Sequence, residues 1–148
     1  MASIDEVLAV MDEPEQEDED LCFVIDKNLR IIEIPERGVV LGVEGDKDVN
    51  RVRFKMARSY RGTDLSDFDI RIYYENADGD RSITDATEKT VGNDSIRFTW
   101  VVGADALMMR GRVRFMVRLI RRDKSGNVLQ AFGTTIGSGT NLEGMTDE

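Results

Sequence analysis

From Leu21 onward the apolar residues recur at every second position, the period of a strand with one face turned to a core. Val52, Phe54 and Met56 alternate with Arg51, Arg53 and Lys55. Phe68, Ile70 and Ile72 alternate with Asp67, Asp69 and Arg71, and Ile96, Phe98 and Trp100 with Arg97 and Thr99. The clearest case follows Gly111, where Val113, Phe115, Val117 and Leu119 share one face. Shorter apolar runs at Leu21–Ile25, Leu29–Ile34 and Val39–Val43 predict three earlier strands, and Val128–Thr135 a late one. The polar run Arg81–Lys89 reads as an edge strand. Turn signals separate these runs at Asp26-Lys27-Asn28, Glu44-Gly45-Asp46, Asn76–Asp80, Gly92-Asn93-Asp94 and Asp123–Asn127, and Asp105–Met109 predicts a single helical turn. About eight short strands with turns between them predict an antiparallel sandwich or barrel, because no crossover helices are available for a βαβ fold. The expectation is a mostly β domain, an antiparallel β-sandwich, over 21–137.

The first twenty residues follow a different period. Ile4, Val7, Leu8 and Met11 fall at i, i+3, i+4 and i+7, one apolar stripe of a short helix. Ser3 and Glu6 have the spacing of a capping box, and Pro14 ends the pattern. A helix this short is marginal in water and needs a surface to pack on. Asp12 to Asp20 then holds seven acids in nine residues, the composition of a solvated linker. Past Ile136 the chain turns Gly/Ser/Thr-rich and then acidic, so 138–148 reads as a flexible tail.

Charge sharpens this division. The formal net charge is −9 over 148 residues. Residues 1–20 contain nine acids and no Lys or Arg, which leaves 20 acids and 20 bases in the remainder. A neutral body with an acidic leader lacks the basic excess that displaces counterions from nucleic acid, so no nucleic-acid partner is expected. The single cysteine, Cys22, excludes an intrachain disulfide. With no basic–apolar signal sequence and no apolar run approaching a membrane span, the chain is expected to be made in the cytoplasm, with no membrane partner.

Few catalytic tools are visible. The absence of histidine removes the commonest general base and metal ligand, and with it any Ser-His-Asp or Cys-His arrangement. Cys22, beside Phe23 and Val24, reads as an inert thiol. Asn76-x-Asp78-Gly79-Asp80 and Asp46-x-Asp48 gather oxygen ligands of the kind calcium takes, but lack EF-hand spacing, and Asx-turn chemistry accounts for both. Gly133–Gly139 is glycine-rich without the Lys-Ser/Thr of a phosphate loop. Neither enzyme, metal nor cofactor is expected, although paired carboxylates for glycoside cleavage are not selectable among 29 acids.

One feature exceeds background. Arg110, Arg112, Arg114, Arg118, Arg121, Arg122 and Lys124 crowd the Gly111 strand and its ends. Arg112, Arg114 and Arg118 share the outward face with Met116 and Ile120. Arginine with methionine and aliphatics has interface composition; a charged, solvated face protecting a sheet edge is the plainer alternative. The candidate interface residues are therefore Ile4, Val7, Leu8, Met11, Arg112, Arg114, Met116, Arg118 and Ile120.

Five stretches carry a further signal in their order: Asp48–Phe54, Asp64–Ile72, Ser95–Gly103, Gly111–Phe115 and Gly126–Thr135. Together they resemble a family of small virion proteins of tailed phages and prophages of Gram-positive gut bacteria, similar to the N-terminal domain of siphophage baseplate upper proteins. The resemblance covers roughly Phe23 to Gly144. It implies a β-sandwich, repeated copies, other virion proteins and copies of itself as partners, and a place in the virion, and it supplies no catalytic residues. The chain ends at Glu148 without the residues of a coiled-coil stalk or receptor-binding head, which turns the expectation toward an adaptor or surface decoration. A glycan- or peptide-binding sandwich is the alternative, with Tyr60, Tyr73 and Tyr74 as candidate stacking residues and Trp100 assigned to the core.

Overall fold

A computed structural model describes residues 21–145. The N-terminal helix and acidic linker expected over 1–20, with Ile4, Val7, Leu8 and Met11, lie outside the described residues, as do residues 146–148.

Two sheets pack face to face as a β-sandwich. The first contains β1 (Phe23–Ile25), β2 (Ile32–Glu33), β4 (Asn50–Ala57), β9 (Thr87–Val91) and β10 (Ser95–Val102), in the order β2-β1-β4-β10-β9. The second contains β3 (Val40–Val43), β7 (Asp69–Glu75), β8 (Arg81–Asp85), β11 (Gly111–Arg122), β12 (Val128–Gly133) and β13 (Gly137–Leu142). Its order is β3-β13-β11-β7-β8, and β12 also pairs with β11. A small hairpin, β5 (Ser59–Tyr60) with β6 (Thr63–Asp64), completes the strands.

The inward faces are those the alternation selects. Phe54 of β4, Phe98 and Trp100 of β10, Phe115 of β11 and Ile72 of β7 are almost wholly buried. Their rings form one cluster: Phe54 stacks on Phe98 at 5.1 Å, and Trp100 lies 5.4 Å from both Tyr74 and Phe115. Aromatic pairs at such separations add stabilisation beyond the area they bury. Cys22 sits half-buried just before β1.

The sheets are mixed rather than purely antiparallel. β1 runs parallel to β4, and β3 parallel to β13. The run Arg81–Lys89 is not one strand. β8 pairs with β7 in the second sheet, the chain turns at Ala86, whose N–H donates to the Ile70 carbonyl, and β9 pairs with β10 in the first. Both halves are edges, which accounts for their polarity. Asp105–Met109 forms a turn in place of a helix, with i to i+3 hydrogen bonds at Ala106 and Leu107.

The expected C-terminal tail over 138–148 needs correction. Residues 137–142 are β13, inserted between β11 and β3. Its glycines permit close packing: a Cβ on Gly139 would lie 2.5 Å from the Leu41 Cγ, so any side chain there forces Leu41 to shift.

Candidate functional site: an apolar lane between arginine rails

β11 is a central strand, with β7 on one side and β13 and then β12 on the other. Its arginines therefore decorate a sheet face, and edge protection does not explain them. Register places their neighbours. Arg114 lies opposite Glu75 of β7, and Glu75 opposite Arg81 of β8. Two residues along, Met116 lies opposite Tyr73, and Tyr73 opposite Ile83. After two more, Arg118 lies opposite Arg71, and Arg71 opposite Asp85. Because every second residue points to the same side, these nine residues form three rows across three strands.

The middle row is apolar. Ile83 is 54% exposed, Tyr73 and Met116 are half-buried, and Ile136, in the connection between β12 and β13, is 56% exposed. They line an open groove of about 380 Å³, with Arg81, Glu75 and Arg114 along its wall. Gly133 gives Met116 its room, since a Cβ there would lie 3.2 Å from the Met116 methyl.

The flanking rows are charged, each with two arginines to one carboxylate. Glu75 accepts from Arg81 at 2.7 Å and from Arg114 at 3.2 Å. The Arg81 hydrogen bond, then that of Arg114, holds the Glu75 carboxyl below the ordinary glutamate range against the opposing effect of burial. In the other row Arg71 lies 3.5 Å from Asp85. Arg118 stands directly across from Arg71, a like-charge juxtaposition that costs stability. The Arg118 guanidinium sits 6.0 Å from the Tyr73 ring centroid, and it has no carboxylate partner among the described residues. Arg112, opposite Thr140, extends the positive face.

The predicted interface residues on the body thus divide. Arg112, Arg114, Met116 and Arg118 share the outer face of the second sheet. Ile120 does not belong to the exposed surface: it is 5% exposed, with Asp69 and Ala131 in register beside it. The alternation fails there, Leu119 and Ile120 both being buried just before the irregularity at Arg121 and Arg122. Residues missed by strand-local reasoning are Glu75, Arg81, Ile83 and Ile136; only cross-strand register or groove geometry brings them in.

The end of the sandwich beside Arg114 is held by buried polar groups. The Tyr74 hydroxyl donates to the Asp105 carboxylate, 2.9 Å from Oδ1 and 2.8 Å from Oδ2. Asn76 Nδ2 donates to the Asp105 carbonyl, and Asn141 Nδ2 to the Met109 carbonyl. Burial, then the hydrogen bond to Asp105, pushes the Tyr74 hydroxyl up to about 12. Of the candidate stacking tyrosines, Tyr74 is buried, and Tyr60 packs edge-on against Phe132 beneath Arg30 and Arg61. Tyr73 and Tyr74 both line the groove, but only Tyr73 is half-exposed to it, Tyr74 being buried with its hydroxyl on Asp105. The oxygen-rich turns use their side chains locally: Asn76 Oδ1 accepts from the backbone of Asp78 and Asp80, and Asp46 Oδ2 from the Val43 N–H and from Asn50.

Chemically, this surface suits recognition. It offers apolar area at the centre, guanidinium groups at the rim, and a glutamate whose lone pairs are already engaged. No helix of the described residues is long and apolar enough to cross a membrane. No family model and no curated protein matches the chain.

Proposed function

We propose that the chain is a non-catalytic structural protein of a tailed-phage virion, a tail or baseplate adaptor or surface decoration that works through protein–protein assembly. The observation that carries the assembly reading is the arginine-railed apolar lane on the outer face of the second sheet. Interfaces combine an apolar centre with a polar rim and are enriched in arginine, tyrosine and methionine. Here Ile83, Tyr73, Met116 and Ile136 supply the centre, and Arg81, Arg114 and Arg118 the rim. The virion assignment is supported by the resemblance of the five ordered stretches between Asp48 and Thr135 to small siphophage virion proteins.

The test is mass spectrometry of purified particles induced from the strain that encodes the chain. The proposal expects the protein in the particles in a fixed ratio to the major tail components. Its absence from particles while it is present in the lysate would overturn the virion assignment. A second reading, a glycan- or peptide-binding module, is favoured by Tyr73 alone, half-buried in an open groove. It expects glycan or peptide binding that is lost in Tyr73→Ala.

A further inference from the structure

The lane has a definite shape and charge, and both match a segment of the same chain. Its apolar row crosses three adjacent strands at Ile83, Tyr73 and Met116 and continues to Ile136. With strands about 4.8 Å apart, that row is roughly 15 Å long. Each rail carries one more arginine than carboxylate, and Arg118 has no carboxylate among the described residues. A fitting occupant presents one narrow apolar stripe of similar length, bordered by acids.

Residues 1–20 have that chemistry. Ile4, Val7, Leu8 and Met11 recur at helical spacing over eight residues, about 12 Å if wound as a helix. Asp5, Glu6, Asp12 and Glu13 border the stripe, and the whole segment holds nine acids and no base. An apolar stripe laid into a groove, with charges meeting across the rim, is a recurring mode of segment recognition.

Which copy supplies the segment follows from where the body begins. β1 lies in the first sheet, and the lane is on the outer face of the second. Phe23 pairs with Phe54, which sets Leu21 near the level of Val52 and Trp100, and Trp100 packs against Tyr74 and Phe115. Leu21 and the lane therefore sit at similar heights on opposite sides of the sandwich. With strands about 4.8 Å apart and sheets about 10 Å apart, the path from β1 round the β2 and β3 edge to the near end of the lane at β11 is on the order of 30 Å. The ten links from Met11 to Leu21 span about 33–36 Å when fully extended and about 17 Å at flexible-chain dimensions. Reaching its own lane therefore draws the linker nearly taut, a constraint that a second copy does not impose. We infer that the lane of one copy receives the acidic N-terminal segment of a second copy. This rests on the assembly reading above. A reciprocal exchange closes a dimer, and a one-way insertion runs head to tail into a ring.

The experiment uses two full-length variants, each folded as wild type by circular dichroism and thermal unfolding. Ile83→Asp/Arg118→Glu spoils the lane at two exposed positions, where the new glutamate faces Arg71, so the fold is spared. Val7→Asp/Leu8→Asp spoils the segment. Native mass is read by light scattering over a range of concentrations. The wild type is expected to associate, and each variant alone to be weakened by on the order of tenfold or more, since apolar burial at the centre of the contact and charge complementarity at its rim are both lost. An equimolar mixture is expected to form a one-to-one complex, because an intact segment then meets an intact lane. Association that persists in both variants would overturn the inference while leaving the assembly reading standing. A wild type that stays monomeric, or a mixture no better associated than the separate variants, would also overturn it. Presence in purified particles decides the virion proposal independently.

Discussion

Replacing Tyr74 with phenylalanine removes one oxygen from a position that is 9% exposed and leaves the ring against Trp100. The hydroxyl is the tether between β7 and the turn 103–110, donating to both oxygens of Asp105. A hydrogen bond to a charged group contributes about 1.5–3 kcal/mol when both partners are withdrawn from water. Asp105 is exposed, so water satisfies its carboxylate once the hydroxyl is gone, and the expected loss falls to roughly 1 kcal/mol. For a chain of this length that lowers Tm by about 2–4 °C. The alkaline limb gives a second, independent signature. With its pKa raised to about 12 in the fold, Tyr74 keeps its proton where the unfolded chain, at an ordinary value of 10, releases it. The unfolded state then binds fewer protons, so the contribution is complete below pH 10 and is lost as pH rises toward 12. Urea unfolding of wild type and Tyr74→Phe from pH 7 to pH 11 is the assay. The wild-type advantage is expected at pH 7 and shrinks above pH 10. Equal stability at pH 7 together with parallel alkaline profiles would refute the tether.

Other perturbations test the packing and the rails. Gly139→Ala places a Cβ 2.5 Å from the Leu41 Cγ and is expected to cost about 1–3 kcal/mol, read as a drop in the denaturation midpoint. An unchanged midpoint would show that Leu41 moves freely. Trp100 is fully buried, and its indole N–H has no hydrogen-bond partner among the described residues. Trp100→Phe loses ring volume but also relieves an unsatisfied donor worth about 1–3 kcal/mol, so a net change within about 1 kcal/mol is expected by urea unfolding. A much larger loss would mean that the N–H is satisfied. Glu75, held below its ordinary value of 4.5 by Arg81 and Arg114, contributes stability above that pH that is lost as pH falls through its depressed pKa. In Glu75→Gln that acid-side loss is absent, so thermal-unfolding curves for the two proteins are expected to converge with acidification; a constant gap would contradict the rail geometry.

The inward faces of β4, β7, β10 and β11 were legible in the sequence because burial on one face forces a period of two, and no other element competes for that pattern. β13 was not legible. Gly137, Ser138 and Gly139 read as a linker by composition, yet glycine is there because Leu41 occupies the space a side chain would need. The two parallel pairs, β1 with β4 and β3 with β13, join strands distant in sequence and leave no local signature. Ala86 hides a change of sheet inside one polar run, since both halves are edges and look alike. The arginine face shows the same boundary. Arg112, Arg114, Met116 and Arg118 follow from alternation within β11. Glu75, Arg81 and Ile83 require the register to β7 and β8, and Ile120 is buried at a position that alternation alone assigns to the surface.

Assembly is proposed to take place through the outer face of the second sheet. Hydroxyl-radical footprinting of the full chain, compared between dilute and concentrated samples whose mass is measured in parallel, tests it most directly. Labelling of Met116 and Tyr73 is expected to fall as the mass rises, while Met108, exposed on the 103–110 turn, keeps its reactivity. Mass that rises with Met116 and Tyr73 still fully labelled would place the interface elsewhere and contradict the proposal.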